Sequence, residues 1–291
     1  MKTNLLTSDD HSSLVNRLKD IIFTVIKNIF LTIISLLMVY PLYWLITSAF
    51  KTNDEFFSDP YSLPSTWVFE NIVRAWEVAD LGRAMINSTI VTVSATLLTV
   101  FLGALTAYAL SRFTFKLKGF LIVFFLLGML IPIHSTLVPL FTMMNLVGLL
   151  DTYWALILPY TAFELPIAIF LTVAYMTTIP KELEEAAIID GSGYWGIFFK
   201  MMLPLSVPAL STVAILSFLR YWNEFVFALV FINDSSLKTL PLSLAIFSDG
   251  FSTDYVLTMA AMTVAVVPTI VMYLIFQEQI MKGMVAGSVK G

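Results

Sequence analysis

Residues Glu184 to Pro204 read EEAAIIDGSGYWGIFFKMMLP, a block of acids, alanines and glycines set between two strongly apolar stretches, Tyr153 to Thr178 and Leu205 to Ile232. Just before it, Pro180 suits a first helical turn, where a missing N–H costs nothing, and Glu182, Glu184 and Glu185 place negative charge at the positive end of a helix. Gly191 ends that helix by allowing a left-handed turn. A second helix starts at once from Ser192, with Trp195, Phe198, Phe199 and Met202 at i, i+3, i+4 and i+7, and Pro204 and Pro208 close the segment. The block reads as a helix, a glycine elbow and a second helix hugging an apolar layer. On the first helix, Leu183, Ala186 and Ala187 share one face while Lys181, Glu184 and Glu185 lie on another.

The rest of the chain says what that layer is. Of 291 residues, 58% are hydrophobic and 12% charged, with 24 Phe and 14 Met; the mean hydropathy is +0.88. Such a chain cannot wrap a soluble core in a polar surface, so an all-α integral membrane protein is expected. Backbone groups in hydrocarbon must be satisfied within the helix, and a span therefore needs ~20 mostly apolar residues. Six stretches qualify: Val25 to Ala49, Ala84 to Leu110, Gly119 to Asn145, Tyr153 to Thr178, Leu205 to Ile232 and Tyr255 to Gln277. The first follows an arm bearing Lys2, Asp9, Asp10, Arg17 and Lys19. It is too long for a signal-peptide core and no small-residue cleavage pattern follows, so it is expected to be a retained span.

Lys and Arg resist translocation and set the orientation. Lys2, Arg17, Lys19, Lys27, Arg112, Lys116, Lys118, Lys181, Lys200, Lys282 and Lys290 fall on the side of the termini and of the Glu184 block. Lys51, Arg74, Arg83 and Lys238 fall opposite, and Arg220 lies inside a span. Both termini and the block are thus expected to be cytoplasmic. The division that follows is an N-terminal arm 1–24, a first span 25–49, an extracellular loop 50–83, a five-helix core 84–277 containing the loop 179–204, and a cytoplasmic tail 278–291. The long outer loops are rich in Asp, Ser, Pro and aromatics; they are either docking surfaces for a soluble partner or solvated connections.

Several chemistries lack their residues. Cysteine is absent, no Gly-Lys pair exists to build a phosphate cradle, and neither H-E-x-x-H nor G-x-S-x-G occurs. With two histidines and a net charge of −4, hydrolase, metal-centre and nucleic-acid readings have no footing. Energy for any active transport would come from an ion gradient or another polypeptide.

Four ionisable residues stand inside spans: His134, Glu164, Arg220 and Glu224. Each costs at least ~2.5 kcal/mol near the bilayer centre and so asks for a partner or a watery cavity. Arg220 and Glu224, at i and i+4 beside Asn223, are expected to neutralise each other, either as a structural pair or lining a substrate path. Glu164 lies by Pro166 and Pro159, and His134 by Pro132, where kinked helices or freed carbonyls facing a polar cavity are both compatible. Tyr153, Trp154, Tyr160 and Trp222 offer stacking faces for a sugar or anchors at the membrane interface.

Physics alone leaves the Glu184 block either as a docking handle or as a helix resting on headgroups, the latter weakened by three acids against an anionic leaflet. The spacing Glu185-Ala186-Ala187, three residues, Gly191, nine residues, Met201-x-Leu203-Pro204 resembles the EAA loop of the membrane subunits of ATP-binding-cassette (ABC) importers, with Met201 where that family has Ile. IPKELEEAAIIDG (Ile179 to Gly191), WNEF (Trp222 to Phe225) and the closing GMVAGSVKG resemble the maltose-type carbohydrate-uptake branch. The resemblance implies a type I importer permease fold of six transmembrane helices, in a bacterial cell membrane, forming half of a pathway for a carbohydrate such as an oligosaccharide. It implies no enzyme activity and no cofactor in this chain, since ATP and Mg belong to a partner. The partners implied are two copies of a cytoplasmic ATPase, a second non-identical permease subunit and an extracellular solute-binding protein. On this chain Glu185 would pair with a basic or amide group of the ATPase, Ala186 and Ala187 would allow close packing and Gly191 would supply the bend. Asp190, Leu203 and Pro204 complete the loop. The path or gate would draw on Glu164, Arg220, Trp222, Asn223 and Glu224. A secondary transporter relaying ions through His134, Glu164, Arg220 and Glu224 is the competing expectation.

Overall fold

The computed structural model describes the backbone of residues 8–248 and 254–288 and the side chains of 18–247 and 254–277. Lys2 and Lys290, and the side chains of Arg17, Lys282 and the GMVAGSVKG tail, lie outside what is described. Among those described, every regular element is helical. In order these are α1 (Ser8–Ser48), the short α2 (Asn53–Ser58) and α3 (Glu70–Val78), α4 (Leu81–Arg112), α5 (Lys118–Met129), α6 (Leu137–Leu146), α7 (Trp154–Met176), α8 (Glu182–Ile189), α9 (Tyr194–Ile197), α10 (Leu203–Leu205), α11 (Val207–Trp222), α12 (Val226–Phe231), α13 (Leu240–Leu244) and α14 (Tyr255–Ser288).

Four segments, Leu18–Ser48, Leu81–Arg112, Trp154–Met176 and Tyr255–Gln277, are each long and apolar enough to cross a bilayer. Two more pass only as bent pairs: Lys118–Met129 with Ile133–Leu146 at 96°, and Tyr194–Leu205 with Val207–Trp222 at 73°. The stretch Gly119 to Asn145 is therefore not one straight helix. Pro132 lacks an N–H and holds an extended backbone (ψ 118°) ahead of a 3₁₀ turn over Ile133–Thr136, which breaks the ladder there. The stretch Leu205 to Ile232 likewise ends its helix at Trp222 and restarts at Val226. Ahead of it the chain runs through a π-helical turn, Phe198–Met202, where the Pro204 ring crowds the carbonyl four residues back.

Packing is organised around α4. Its buried face is built from small and hydroxylated residues, Ala84, Ser88, Thr92, Ala95, Thr99 and Gly103 among them, which lets neighbouring backbones approach closely. At Gly103 an added Cβ would sit 3.1 Å from the Ala168 Cβ of α7. Here the absence of a side chain sets the α4–α7 spacing.

At the end of α4 near Leu81 the connections are folded. Lys51 is fully buried and donates to the Asp59 carbonyl at 2.8 Å. Asn71 Nδ2 donates to the Ala49 and Lys51 carbonyls at 3.0 and 2.9 Å, and Phe56 stacks on Tyr255. Asn87 of α4 donates to the Ser236 and Lys238 carbonyls, both at 2.9 Å, and accepts from Tyr153 Oη at 2.7 Å. Asp151, at φ 56°, accepts from the backbone N–H groups of Asp234 and Asn233 at 2.9 and 2.5 Å.

Those two N–H donors, Asp234 first, hold the Asp151 carboxyl below its ordinary value of 3.8. A carboxyl depressed by folding contributes stability that is full above its unfolded pKa and lost as pH falls through the folded one. Asp151→Asn is thus expected to lower the melting temperature of the purified protein at pH 7, with the gap narrowing as pH falls below 3.8 and through the depressed value of the folded carboxyl. A gap independent of pH would remove the charge-assisted latch from the account.

Candidate functional site

The Gly191 loop is closed by backbone geometry. Gly191 takes φ +83°, its N–H donates to the Ile188 carbonyl at 3.0 Å, and the Ser192 N–H donates to the Ala187 carbonyl at 2.9 Å. This is the paired hydrogen-bond pattern of a left-handed helix stop. Glu185 and Ala186 are exposed on α8 and Asp190 is exposed just after it, while Ala187 is half-buried against the cluster of Tyr108, Met176 and Phe198.

Glu184 leaves the face assigned to it. Its Oε1 lies 2.5 Å from Arg112 Nε, with only 14% of the Glu184 side chain and 4% of the Arg112 side chain exposed. A guanidinium buried that deeply requires a counter-charge, and α8 supplies it. Arg112 Nη2 also donates to the Ile179 carbonyl at 2.9 Å. Burial pushes the Glu184 carboxyl up, while Arg112 and then Lys181 oppose the shift. The expected apolar face of the second helix divides as well. Phe198 and Met202 are fully buried, whereas Trp195 and Phe199 are exposed and stack at 6.2 Å between ring centroids. Leu203 is half-buried and Pro204 exposed.

The second cluster lies where α4, α7 and α11 meet. Arg220 does not pair with Glu224. It donates through Nη1 to Glu164 Oε2 at 2.7 Å, with Glu164 6% and Arg220 45% exposed. The pairing differs because α11 stops at Trp222, so Glu224 is not one helical turn beyond Arg220. Glu224 instead faces the start of α12, accepting from the Phe227 and Ala228 N–H groups at 2.8 and 3.3 Å and from Tyr160 Oη at 2.5 Å. Tyr221 Oη donates to the Tyr160 carbonyl at 3.0 Å and sits 2.8 Å from Thr99 Oγ1 of α4. The Tyr160 and Tyr221 rings stack at 5.2 Å.

Trp222 is buried and stacks on Phe218, and Asn223 is exposed, its Nδ2 donating to the Leu219 carbonyl at 2.7 Å. His134 stands exposed on the 3₁₀ turn, and its imidazole makes no hydrogen bond among the described residues. Sequence reasoning missed Arg112, Thr99 and Tyr221. Arg112 counted only toward orientation, and its signal was an arginine two positions beyond the end of the apolar span Ala84 to Leu110.

Residues 95–285 match the family model described as binding-protein-dependent transport system inner membrane component. The chain is 44% identical over 263 residues to the probable ABC transporter permease protein YurM of Bacillus subtilis, covering 90% of this chain and 87% of that one. It is 38% identical over 269 residues to the diacetylchitobiose uptake system permease protein NgcG of Streptomyces coelicolor, covering 92% and 87%. Among solved structures, its fold is similar to that of a bacterial ABC transporter involved in the import of the acidic polysaccharide alginate. The TM-score is 0.79 at 21% identity, over 95% of this chain and 99% of that chain.

Proposed function

This chain belongs to the family of binding-protein-dependent transport system inner membrane components, and from that premise we propose how this multi-pass ABC importer permease is driven and what it carries. The Glu185-Ala186-Ala187 stretch of α8, with Glu185 and Ala186 exposed and Ala187 half-buried beneath them, is the handle gripped by a separate cytoplasmic ATPase, two copies of which bind ATP and Mg and serve this subunit and a second, non-identical permease. Substrate arrives on an extracellular solute-binding protein. The substrate class is a carbohydrate of oligosaccharide size, a reading supported by the 38% identity to the diacetylchitobiose permease.

The observation that carries the coupling role is the stop at Gly191. It closes α8 as a short helix on which Glu182, Glu185 and Ala186 remain exposed. Asp190, Leu203 and Pro204 flank the handle. In the membrane, Glu164, Arg220, Asn223 and Glu224 form the polar wall or gate of the path, with Trp222 as its packed support. His134 does not join that group, which leaves an ion relay through it without a continuous path.

Co-purification tests the proposal. Full-length protein solubilised from its membrane is expected to bring down an ATPase, a second permease and a solute-binding protein. Glu185→Lys should lose most of the ATPase and at least about tenfold of uptake, because like charge in place of a paired acid costs several kcal/mol at an interface. Undiminished ATPase capture and uptake with Glu185→Lys would defeat the handle.

A further inference from the structure

Apart from Ala187, packed against the cluster of Tyr108, Met176 and Phe198, α8 is held to the bundle at one point. Leu183, Ile188 and Ile189 are exposed, and among the described residues the Glu184–Arg112 pair is its only side-chain polar tie to a membrane helix. Arg112 is the last residue of α4. Among the four segments that cross as single helices, α4 alone has no internal proline: Pro41 interrupts α1, Pro159 and Pro166 interrupt α7, and Pro268 interrupts α14. Its 32 residues span ~48 Å at 1.5 Å per residue.

Three attachments lie along that length. Arg112 holds Glu184 and the Ile179 carbonyl at one end. Thr99 meets Tyr221 in the middle, beside the polar cluster. Asn87 and Ser88 hold the far-end loop, the latter by accepting from the Leu240 N–H at 2.7 Å. A proline-free helix bends little, so a displacement at one end reaches the other. The pairs α5–α6 and α9–α11 are instead bent by 96° and 73° at their breaks.

We propose that Arg112 is the positioning residue that fastens the coupling helix to α4, and that α4 carries the stroke as an unbroken rod to the polar cluster and the far-end loop. The inference rests on the reading of α8 as the ATPase handle. It adds that the handle is transmitted through one ion pair rather than through the loop backbone. Lost attachment would then uncouple: the ATPase still docks on Glu185 and still turns over, but transport does not follow.

The test is a charge exchange in the reconstituted complete importer, with three readings: assembled complex, ATP hydrolysis and uptake. At equal assembly, Arg112→Glu and Glu184→Arg are each expected to lower uptake per ATP hydrolysed at least about tenfold, and the double exchange to restore it to within about threefold, as for a coupled pair. If the single exchanges fail to assemble, Glu184→Gln keeps the side-chain shape and should still lower the ratio about threefold at normal abundance. An unchanged ratio in every assembled variant overturns the rod, as does a double exchange no better than the singles. A wild-type chain that purifies without any ATPase overturns the handle beneath it, a result separate from either.

Discussion

Gly191→Pro is expected to lower uptake at least about tenfold while the protein still inserts at normal abundance, because proline fixes φ near −65° and has no N–H. The native residue stands at φ +83° and uses its N–H to bond the Ile188 carbonyl. Proline therefore removes both the backbone conformation and one of the two bonds that stop α8, and the chain must leave the helix in another direction. Insertion is set by the apolar segments, which the substitution leaves alone. Gly191→Ala is the control: no atom lies within 4 Å of where its Cβ would go, so its cost is the left-handed backbone penalty of about 1 kcal/mol and uptake should fall by no more than about threefold. The contrast isolates backbone direction from side-chain volume. Normal uptake by Gly191→Pro, measured in vesicles with protein quantified, would end the coupling role of the elbow.

That elbow was legible in the sequence because a left-handed stop has a residue requirement, and glycine after an acidic amphipathic turn meets it. The apolar segments were legible for the same kind of reason: hydrocarbon sets a minimum length and tolerates few charges. What escaped depends on partners far away in the chain. Glu184 meets Arg112 across 72 positions and Arg220 meets Glu164 across 56, and helical periodicity speaks only to neighbours three or four residues apart. The i, i+4 assignment of Arg220 to Glu224 failed because Trp222-Asn223-Glu224-Phe225 contains neither proline nor glycine to announce a helix end. The end is enforced instead by Glu224 turning to take the first N–H groups of α12 and the Tyr160 hydroxyl. Pro132 announced a break, but not its 96° size.

Arg220→Leu is expected to cost about 3 kcal/mol of stability in detergent, since it strands a buried carboxylate in a medium that penalises unpaired charge. Glu164 is 6% exposed and Arg220 45%, so the two single substitutions are not equivalent. Glu164→Leu leaves a guanidinium that is only half-buried and should cost less, about 1 kcal/mol. The double substitution removes both charges and fills with apolar volume, which is commonly neutral, and should return stability to within about 1 kcal/mol of wild type. Uptake is expected to behave differently. A pair that served only to join α7 and α11 would let the double variant transport normally, whereas a half-exposed guanidinium on the wall of a path presents polar donors that leucine cannot replace. Uptake by the double variant is therefore expected to stay at least about tenfold below wild type even with stability restored, because a site built to hydrogen-bond a polar ligand loses that much when its donors go. Recovery of both properties together would assign the Glu164–Arg220 pair to packing and leave the path to be sought around Asn223 and Glu224.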